Sequence, residues 1–251
     1  MDISIDKNSL ELGQRAGRDA AGLIKDAIRT NGQANVILAT GTSQFETLKQ
    51  LIRDEMIDWG HVVMFHLDEY IGLPITHPAS FRKYLRERFL QQLPPLKAAY
   101  LIDGEGDAAA TCKQLGEIIA NHPIDVALVG IGENGHLAFN DPPADFETEE
   151  PYIVVELDED CRRQQLGEGW FPSLADVPRQ AISMSIKQIM KSKVILCSVP
   201  DTRKAVAVKN TLEHAVSNRY PASILQQHSD CRLYLDTGSA ELLAKASPAA
   251  N

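Results

Sequence analysis

The chain has 251 residues, 44% of them hydrophobic and 24% charged, with 25 Lys and Arg against 34 Asp and Glu for a net charge of −9. That length suits one large α/β domain or two small ones, and with no linker or low-complexity run to divide it a single domain over residues 1–251 is expected. The acidic balance argues against a nucleic-acid or anionic-membrane surface, which needs a basic stripe, but leaves room for a small anionic ligand held by a few local donors.

No apolar run approaches the length of a membrane span. The opening Met1-Asp2-Ile3-Ser4-Ile5-Asp6 lacks the basic-then-apolar pattern of a signal peptide. Cys112, Cys161, Cys197 and Cys231 are widely spread, with no C-x-x-C. They read as reduced thiols of a cytoplasmic protein, not a disulfide frame or a zinc site, and Cys197 as plain core.

Leu10 to Arg29 carries apolar or small residues at helical spacing, and Ala34 to Ala39 is a short β-rich run. Ser43-x-x-Glu46 matches a capping box and predicts a helix to about Met56. His61 to Leu67 reads as a strand, Ala79 to Leu90 and Asp107 to Asn121 as helices, and Asp125 to Val129 as a buried strand. Tyr152 to Leu157 and Ala181 to Ser185 are expected to be extended. Lys193 to Val199 reads as a strand, Thr202 to Ala215 as a helix and Arg232 to Asp236 as a last strand. Glu241 to Lys245 predicts a terminal turn, and 246–251 a frayed tail. This alternation predicts a mainly parallel sheet covered on both faces.

Four constellations fall where strands should end, the place where open α/β sheets bind ligands. Thr40-Gly41-Thr42-Ser43 lies between a strand and a helix start, where backbone N–H groups and three hydroxyls suit a phosphate. It is neither a Walker loop nor a dinucleotide fingerprint; its bland reading is an N-cap turn. Asp68 and Glu69 close the His61 strand. Neighbours on an extended strand face opposite ways, so one of the two is expected in any given pocket, as a base able to take a proton beside a carbonyl. Gly130, Gly132 and Gly135 make a turn that carries His136, with Asp141 five residues on: acid/base equipment, or a glycine-rich turn with a solvated histidine. Lys204 lies near a helix start, where a cation is unfavourable unless an anion binds beside it.

Leu67-Asp68-Glu69-Tyr70-Ile71-Gly72-Leu73-Pro74, His77-Pro78-x-Ser80 and Gly130-Ile131-Gly132-x-Asn134-Gly135-His136-Leu137-Ala138-Phe139-Asn140 closely resemble the glucosamine-6-phosphate deaminases, part of the glucosamine-6-phosphate isomerase/6-phosphogluconolactonase superfamily. The likeness runs, with gaps, from about Leu10 to Leu243. It implies a three-layer α/β/α sandwich around a mainly parallel sheet, related to ribose-5-phosphate isomerase. It also implies an enzyme of amino-sugar metabolism that needs no metal or organic cofactor. The implied reaction turns glucosamine 6-phosphate and water into fructose 6-phosphate and ammonia through an enediol intermediate, an isomerisation joined to a hydrolytic deamination.

By the same resemblance Asp68 matches the base that moves the C2 proton to C1, and His136 the residue that helps open the sugar ring. Asp141 matches the acid paired with that histidine, where the deaminases generally carry glutamate. Asn134 falls where some members carry aspartate. Thr40, Gly41, Thr42, Ser43 and Lys204 match phosphate-binding positions. Residues 159–171 diverge from the deaminase stretch that supplies a substrate-gripping arginine, leaving Arg162 and Arg163 as replacements between which the sequence does not choose.

The alternative on this scaffold is a 6-phosphogluconolactonase. Tyr70 stands where those enzymes resemble Asp-Glu-Arg, and Leu137-Ala138-Phe139-Asn140 where they resemble Thr-Ala-Ser; both differences favour the deaminase. The joint presence of Asp68, His136 and Asp141 argues against a non-catalytic sugar-phosphate-binding regulator. The expected partner is a small sugar phosphate, with no nucleic acid and no membrane; a homo-oligomer is left open.

Overall fold

Val, Ile and Leu in unbroken runs make strands that must be buried on both faces. The computed structural model, which describes residues 1–244, is organised around such strands. In chain order the elements are β1 (Asp2–Asp6), α1 (Ser9–Asn31), β2 (Ala34–Leu38), α2 (Phe45–Ile52), β3 (Val62–His66), β4 (Asp68–Tyr70), α3 (Phe81–Arg88), β5 (Ala98–Tyr100), α4 (Ala108–Ile119) and β6 (Val126–Val129). They continue with β7 (Tyr152–Glu156), α5 (Glu159–Gly167), β8 (Gln180–Met184), α6 (Ile186–Met190), β9 (Val194–Val199), α7 (Ala205–Glu213) and β10 (Cys231–Asp236).

Seven strands form one parallel sheet in the order β1-β10-β9-β6-β2-β3-β5. From β2 the chain builds outward through β3 to β5; from β6 it builds the other way through β9 to β10. The two directions part between β2 and β6, a topological switch point where a crevice opens beyond the carboxyl ends of the strands. One face of the sheet packs Val36, Leu38, Met64, Val126 and Leu128 against Leu12, Ile24 and Leu48 of α1 and α2 and Leu85 of α3. The other packs Ile37, Phe65, Ala127, Val129 and Cys197 against Leu115 and Ile119 of α4, Ile189 of α6 and Val208 of α7. Three layers result, as predicted.

A second, antiparallel sheet, β4-β8-β7, was not foreseen. It joins the large sheet through Leu67, whose N–H donates to Leu38 O (3.2 Å) and whose carbonyl accepts from Met184 N–H (2.9 Å). Tyr70, Phe139, Leu157, Cys161 and Phe171 form a small core beneath it.

The capping box at Ser43 does not form. A single 3-10 turn, Thr42–Gln44, intervenes, and α2 starts at Phe45 without a side-chain cap. The helix stops at Ile52 instead of Met56, because the Asp54 carboxylate accepts from Met56 N–H (3.0 Å) and pairs with Lys25 (2.6 Å). The Thr202 helix likewise opens as a 3-10 turn before α7. Glu241 and Leu242 lie in a turn, whereas Lys245 and 246–251 lie outside the described residues.

α1 and α2 meet at Gly13. A Cβ there would stand 2.4 Å from Glu46 Cβ and 2.7 Å from the Glu46 carbonyl carbon, whereas one on Gly22 would meet nothing within 4 Å. Gly13→Ala should therefore destabilise the fold by about 1–3 kcal/mol through overpacking. Gly22→Ala should stabilise it by about 0.5–1 kcal/mol through helix propensity. Urea unfolding of the two variants checks both signs; equal effects would contradict the α1–α2 contact.

Candidate active site

Beyond the carboxyl ends of β2, β3, β6 and β9 lies a cavity of about 550 Å³, including the space at its open mouth. Its lining includes Thr40, Gly41, Thr42 and Ser43 after β2, and Asp68 after β3. Gly132 and His136 come from the loop after β6, and Lys204 from the segment after β9. The four strand-end constellations therefore share one cleft. Asn134 and Asp141 stand behind His136 and do not line it.

The loop after β2 is fixed from below. Gln44, fully buried, donates through Nε2 to Val129 O (3.0 Å), and Thr47 Oγ1 meets Ser198 Oγ at 3.2 Å. These bonds pin the turn to β6 and β9. Gly41 adopts φ +88°, a left-handed conformation that a side chain would strain. Thr40 Oγ1 is buried with no hydrogen-bond partner among the described residues. An orphan hydroxyl on a cleft wall is a ready donor for an oxyanion.

Lys204 is only 6% exposed. Burial lowers its pKa, with Glu168 and Glu133 acting in the opposite direction. Among the described residues no carboxylate lies within ion-pair distance of it, while the neighbouring Arg203 pairs with Asp201 (2.9 Å) and Glu133 (3.4 Å). A desolvated cation without a close partner stabilises whatever anion enters the cleft.

Asp68 and Glu69 point to opposite sides, as their alternation in β4 requires. Glu69 is turned inward and satisfied. Its carboxylate accepts from Ser80 Oγ (2.9 Å), from Phe81 and Arg82 N–H (3.2 and 2.8 Å) and from its neighbour Tyr70 N–H (2.9 Å), and it anchors the start of α3. Arg82 also lies 3.4 Å from it. Asp68 faces the cleft at 7% exposure. Burial, with the Glu69 charge beside it, pushes its carboxyl up to about 8.

His136 lies flat over Gly132: a Cβ at that glycine would come within 2.3 Å of the imidazole. Asp141 Oδ1 stands 3.0 Å from His136 Nδ1, so the aspartate reaches the histidine without the extra methylene of glutamate. The oxygen lies out of line with the ring N–H, and Nδ1 has no hydrogen-bond partner. Asn134 organises the group: Nδ2 donates to Asp141 Oδ1 (3.0 Å) and Asp158 Oδ2 (3.3 Å), and Oδ1 accepts from His136 N–H (3.1 Å). The adjacent imidazole, with hydrogen bonds from Asn134 Nδ2 and Asp158 N–H, holds the Asp141 carboxyl below the usual range despite its burial. Asn140 locks the loop from behind by donating to Leu137 O and Met184 O, both at 2.8 Å.

Neither replacement arginine enters the cleft. Arg162 donates to Leu174 O and Val177 O, and Arg163 pairs with Glu159 on the surface. The divergent stretch contributes Gln164, Gln165 and Glu168 instead. Gln164 Oε1 accepts from Glu133 N–H (2.7 Å), and Gln165 Oε1 accepts from Tyr70 Oη (2.6 Å), leaving the Gln165 amide donors to the cleft. Sequence reasoning missed these residues because α5 lacks apolar periodicity; the polar pair at 164–165 with an acid one turn later was the available signal.

The chain matches the family described as glucosamine-6-phosphate isomerases/6-phosphogluconolactonase over residues 7–234. It is 37% identical to a glucosamine-6-phosphate deaminase of Lactococcus lactis subsp. cremoris (strain SK11), over 98% of this chain and all of that one. It is 34% identical to the corresponding enzyme of Streptococcus pneumoniae (strain Hungary19A-6), over 92% and 96%. A solved structure described as a monomeric glucosamine-6-phosphate deaminase superposes with a TM-score of 0.87 at 33% identity, over 96% of this chain and 100% of that one. A 6-phosphogluconolactonase from Trypanosoma brucei shares the fold at a TM-score of 0.76 and 20% identity, over 97% and 98%.

Folded Asp68 titrates near 8 against 3.8 for the ordinary group. Between those values the folded protein keeps a proton that the unfolded chain has released. The associated stability is complete below the unfolded value and is lost as pH rises through about 8. Asp68→Asn, neutral throughout, should raise Tm by about 2–8 °C at about pH 8.5, and the gain should shrink toward pH 5. Calorimetry at the two pH values checks this; a gain independent of pH would contradict it.

Proposed function

The chain belongs to the glucosamine-6-phosphate isomerase/6-phosphogluconolactonase family, and from that membership we propose that it is a glucosamine-6-phosphate deaminase. On this reading it converts glucosamine 6-phosphate and water to fructose 6-phosphate and ammonia. The observation that carries it is the meeting of a desolvated carboxylate, a carboxylate-backed histidine and an unpaired lysine in one cleft. The likeness to deaminases over nearly the whole chain supports it.

In the proposed reaction the 6-phosphate binds Lys204, the Thr40, Thr42 and Ser43 hydroxyls and the backbone around Gly41. That remote grip supplies binding energy that orients C1 and C2. His136 moves a proton between the ring oxygen and the anomeric hydroxyl to open the pyranose, with Asp141 stabilising the imidazolium and Asn134 holding Asp141 in place. Asp68 removes the C2 proton, the C–H electron pair forms the C1–C2 double bond, and the C1 carbonyl π pair moves to O1, which takes a proton, giving the enediol-type intermediate. The same carboxyl returns the proton to C1, leaving a C=N bond at C2, and water adds there to expel ammonia. One base on one face suffices because the two carbons are adjacent. These transfers need only side chains and water, so no metal or organic cofactor enters the proposal. No helix among the described residues is long and apolar enough to cross a membrane, and we assign the reaction to the cytoplasm.

Incubation with glucosamine 6-phosphate should release ammonia and form fructose 6-phosphate, while 6-phosphogluconolactone should be hydrolysed no faster than in buffer. Asp68→Asn should lower kcat by at least about 10³-fold. Lys204→Met should act mainly on KM, raising it about 10–100-fold through the lost charge-assisted contact. Lactone turnover without ammonia release would overturn the assignment. Since the base works unprotonated and Asp68 lies near 8, kcat/KM should climb with pH toward that value. The acid limb of kcat should fall lower, because the bound substrate's C2 ammonium favours the ionised carboxylate. Coincident limbs would contradict this placement of the base.

A further inference from the structure

Cys161 takes no part in the proposed chemistry, yet its thiol lies beside the histidine relay. The first turn of α5 places it there: Asp158 caps the helix by accepting from Cys161 N–H (2.6 Å), and Asp158 N–H donates to Asp141 Oδ2 (3.0 Å). Helix start and relay are thereby tied together. A ring nitrogen of His136, an Asp141 oxygen and Cys161 Sγ all lie within 4.8 Å of one another, in a region where Cys161 is fully buried and His136 only 7% exposed.

Imidazole nitrogen, carboxylate oxygen and sulfur at such spacing are a donor set for a borderline-soft divalent cation. A second observation points the same way: among the described residues His136 Nδ1 is buried without an in-line hydrogen bond while standing 3.0 Å from Asp141 Oδ1. Zinc bonds of about 2.0–2.1 Å to nitrogen and oxygen and about 2.3 Å to sulfur, at tetrahedral angles, set ligand atoms about 3.3–3.6 Å apart. Small rotations of the Cys161 and Asp141 side chains close the difference. Asn134 Nδ2 on Asp141 Oδ1 and Asp158 N–H on Oδ2 already orient the carboxylate, as outer groups do around metal ligands.

We propose that His136, Asp141 and Cys161 form a zinc-class inhibitory site, in which a thiophilic divalent cation takes three protein ligands and keeps its fourth position for water. On binding, the Cys161 S–H bond breaks, its proton leaves to solvent and the sulfur electron pair forms the metal–sulfur bond, while Nδ1 and an Asp141 oxygen donate lone pairs. No oxidation is involved. Mg²⁺ and Ca²⁺, which prefer oxygen, do not compete for such donors. The inhibitory consequence rests on the reading of His136 and Asp141 as the ring-opening pair, because the cation takes the imidazole nitrogen and the carboxylate that this pair uses.

The test titrates the full chain with Co²⁺ in the absence of substrate and reads the near-ultraviolet thiolate-to-cobalt charge-transfer band. Zn²⁺ affinity is measured by competition. The band should appear at one equivalent per chain, yield to Zn²⁺ and persist in Cys112→Ser. It should vanish in both Cys161→Ser and Cys161→Ala, with Zn²⁺ affinity lowered more than about 100-fold, beyond the loss caused by changes around ligands alone. Unchanged Tm values for the two variants identify this as loss of a ligand and not of the fold. A band that survives in either folded Cys161 variant, or no band in the wild type, overturns the site whatever the enzyme's substrate. In the ammonia-release assay Zn²⁺ should inhibit the wild type and leave Cys161→Ser active at the basal rate. Metal binding without inhibition would overturn the blocking role.

Discussion

The parting of chain connections between β2 and β6 is the constraint on which the rest of the structure depends. Strands added outward from that boundary in both directions leave its carboxyl end uncovered by any crossover. Four of the segments lining the cleft leave strands near this gap: the hydroxyl loop after β2, the acid after β3, the histidine loop after β6 and the lysine after β9; α5 adds Gln164, Gln165 and Glu168 from outside it. Gln44 on Val129 O and Thr47 against Ser198 stitch the two sides of the gap together, so that loops from opposite halves keep a fixed separation.

Within that frame, two adjacent carboxylates differ because their surroundings do. Glu69 and Asp68 share a strand and are both buried, yet among the described residues Glu69 receives N–H and O–H donors from β4 and the start of α3 while Asp68 receives none. A buried carboxylate without donors resists ionisation, and a buried ammonium without a close acid resists it too. Asp68 and Lys204 are both held in that condition, on walls of the same cavity. The folded chain tolerates them because the surrounding layers are densely apolar, and a ligand bearing opposite charges at its two ends relieves both.

The parallel sheet was legible because its strands are continuous apolar runs between helical periods, a signal that survives in a single sequence. The small antiparallel sheet was not. β4 is three residues long and is separated from β3 by a single residue, Leu67, so it read as the tail of the same strand. β1 was missed because Ile3 and Ile5 are exposed on an edge instead of packed. The placement of Thr40–Ser43, Asp68, His136 and Lys204 at strand ends could be read from spacing and chemistry. The grouping of Cys161 with His136 and Asp141 could not, since it depends on where Asp158 starts a helix with little apolar periodicity. The same helix explains why the arginines at 162 and 163 turn away: the face that meets the cleft belongs to 164, 165 and 168.

Leu67 bonds to both sheets at once, through Leu38 O on one side and Met184 N–H on the other, and Tyr152 Oη reaches across to His66 O at 3.0 Å. Asp68 is the next residue, so it rides on the seam between the two sheets. The histidine loop is buttressed from the same seam, through Asn140 on Met184 O and Ser183 Oγ on Phe139 N–H. A slight rocking of the smaller sheet would therefore carry acid and imidazole together relative to the loops after β2 and β9. Repacking of β7, which pairs with β8 and not with β4, gives natural variation a way to act on Asp68 and the histidine loop through one intervening strand.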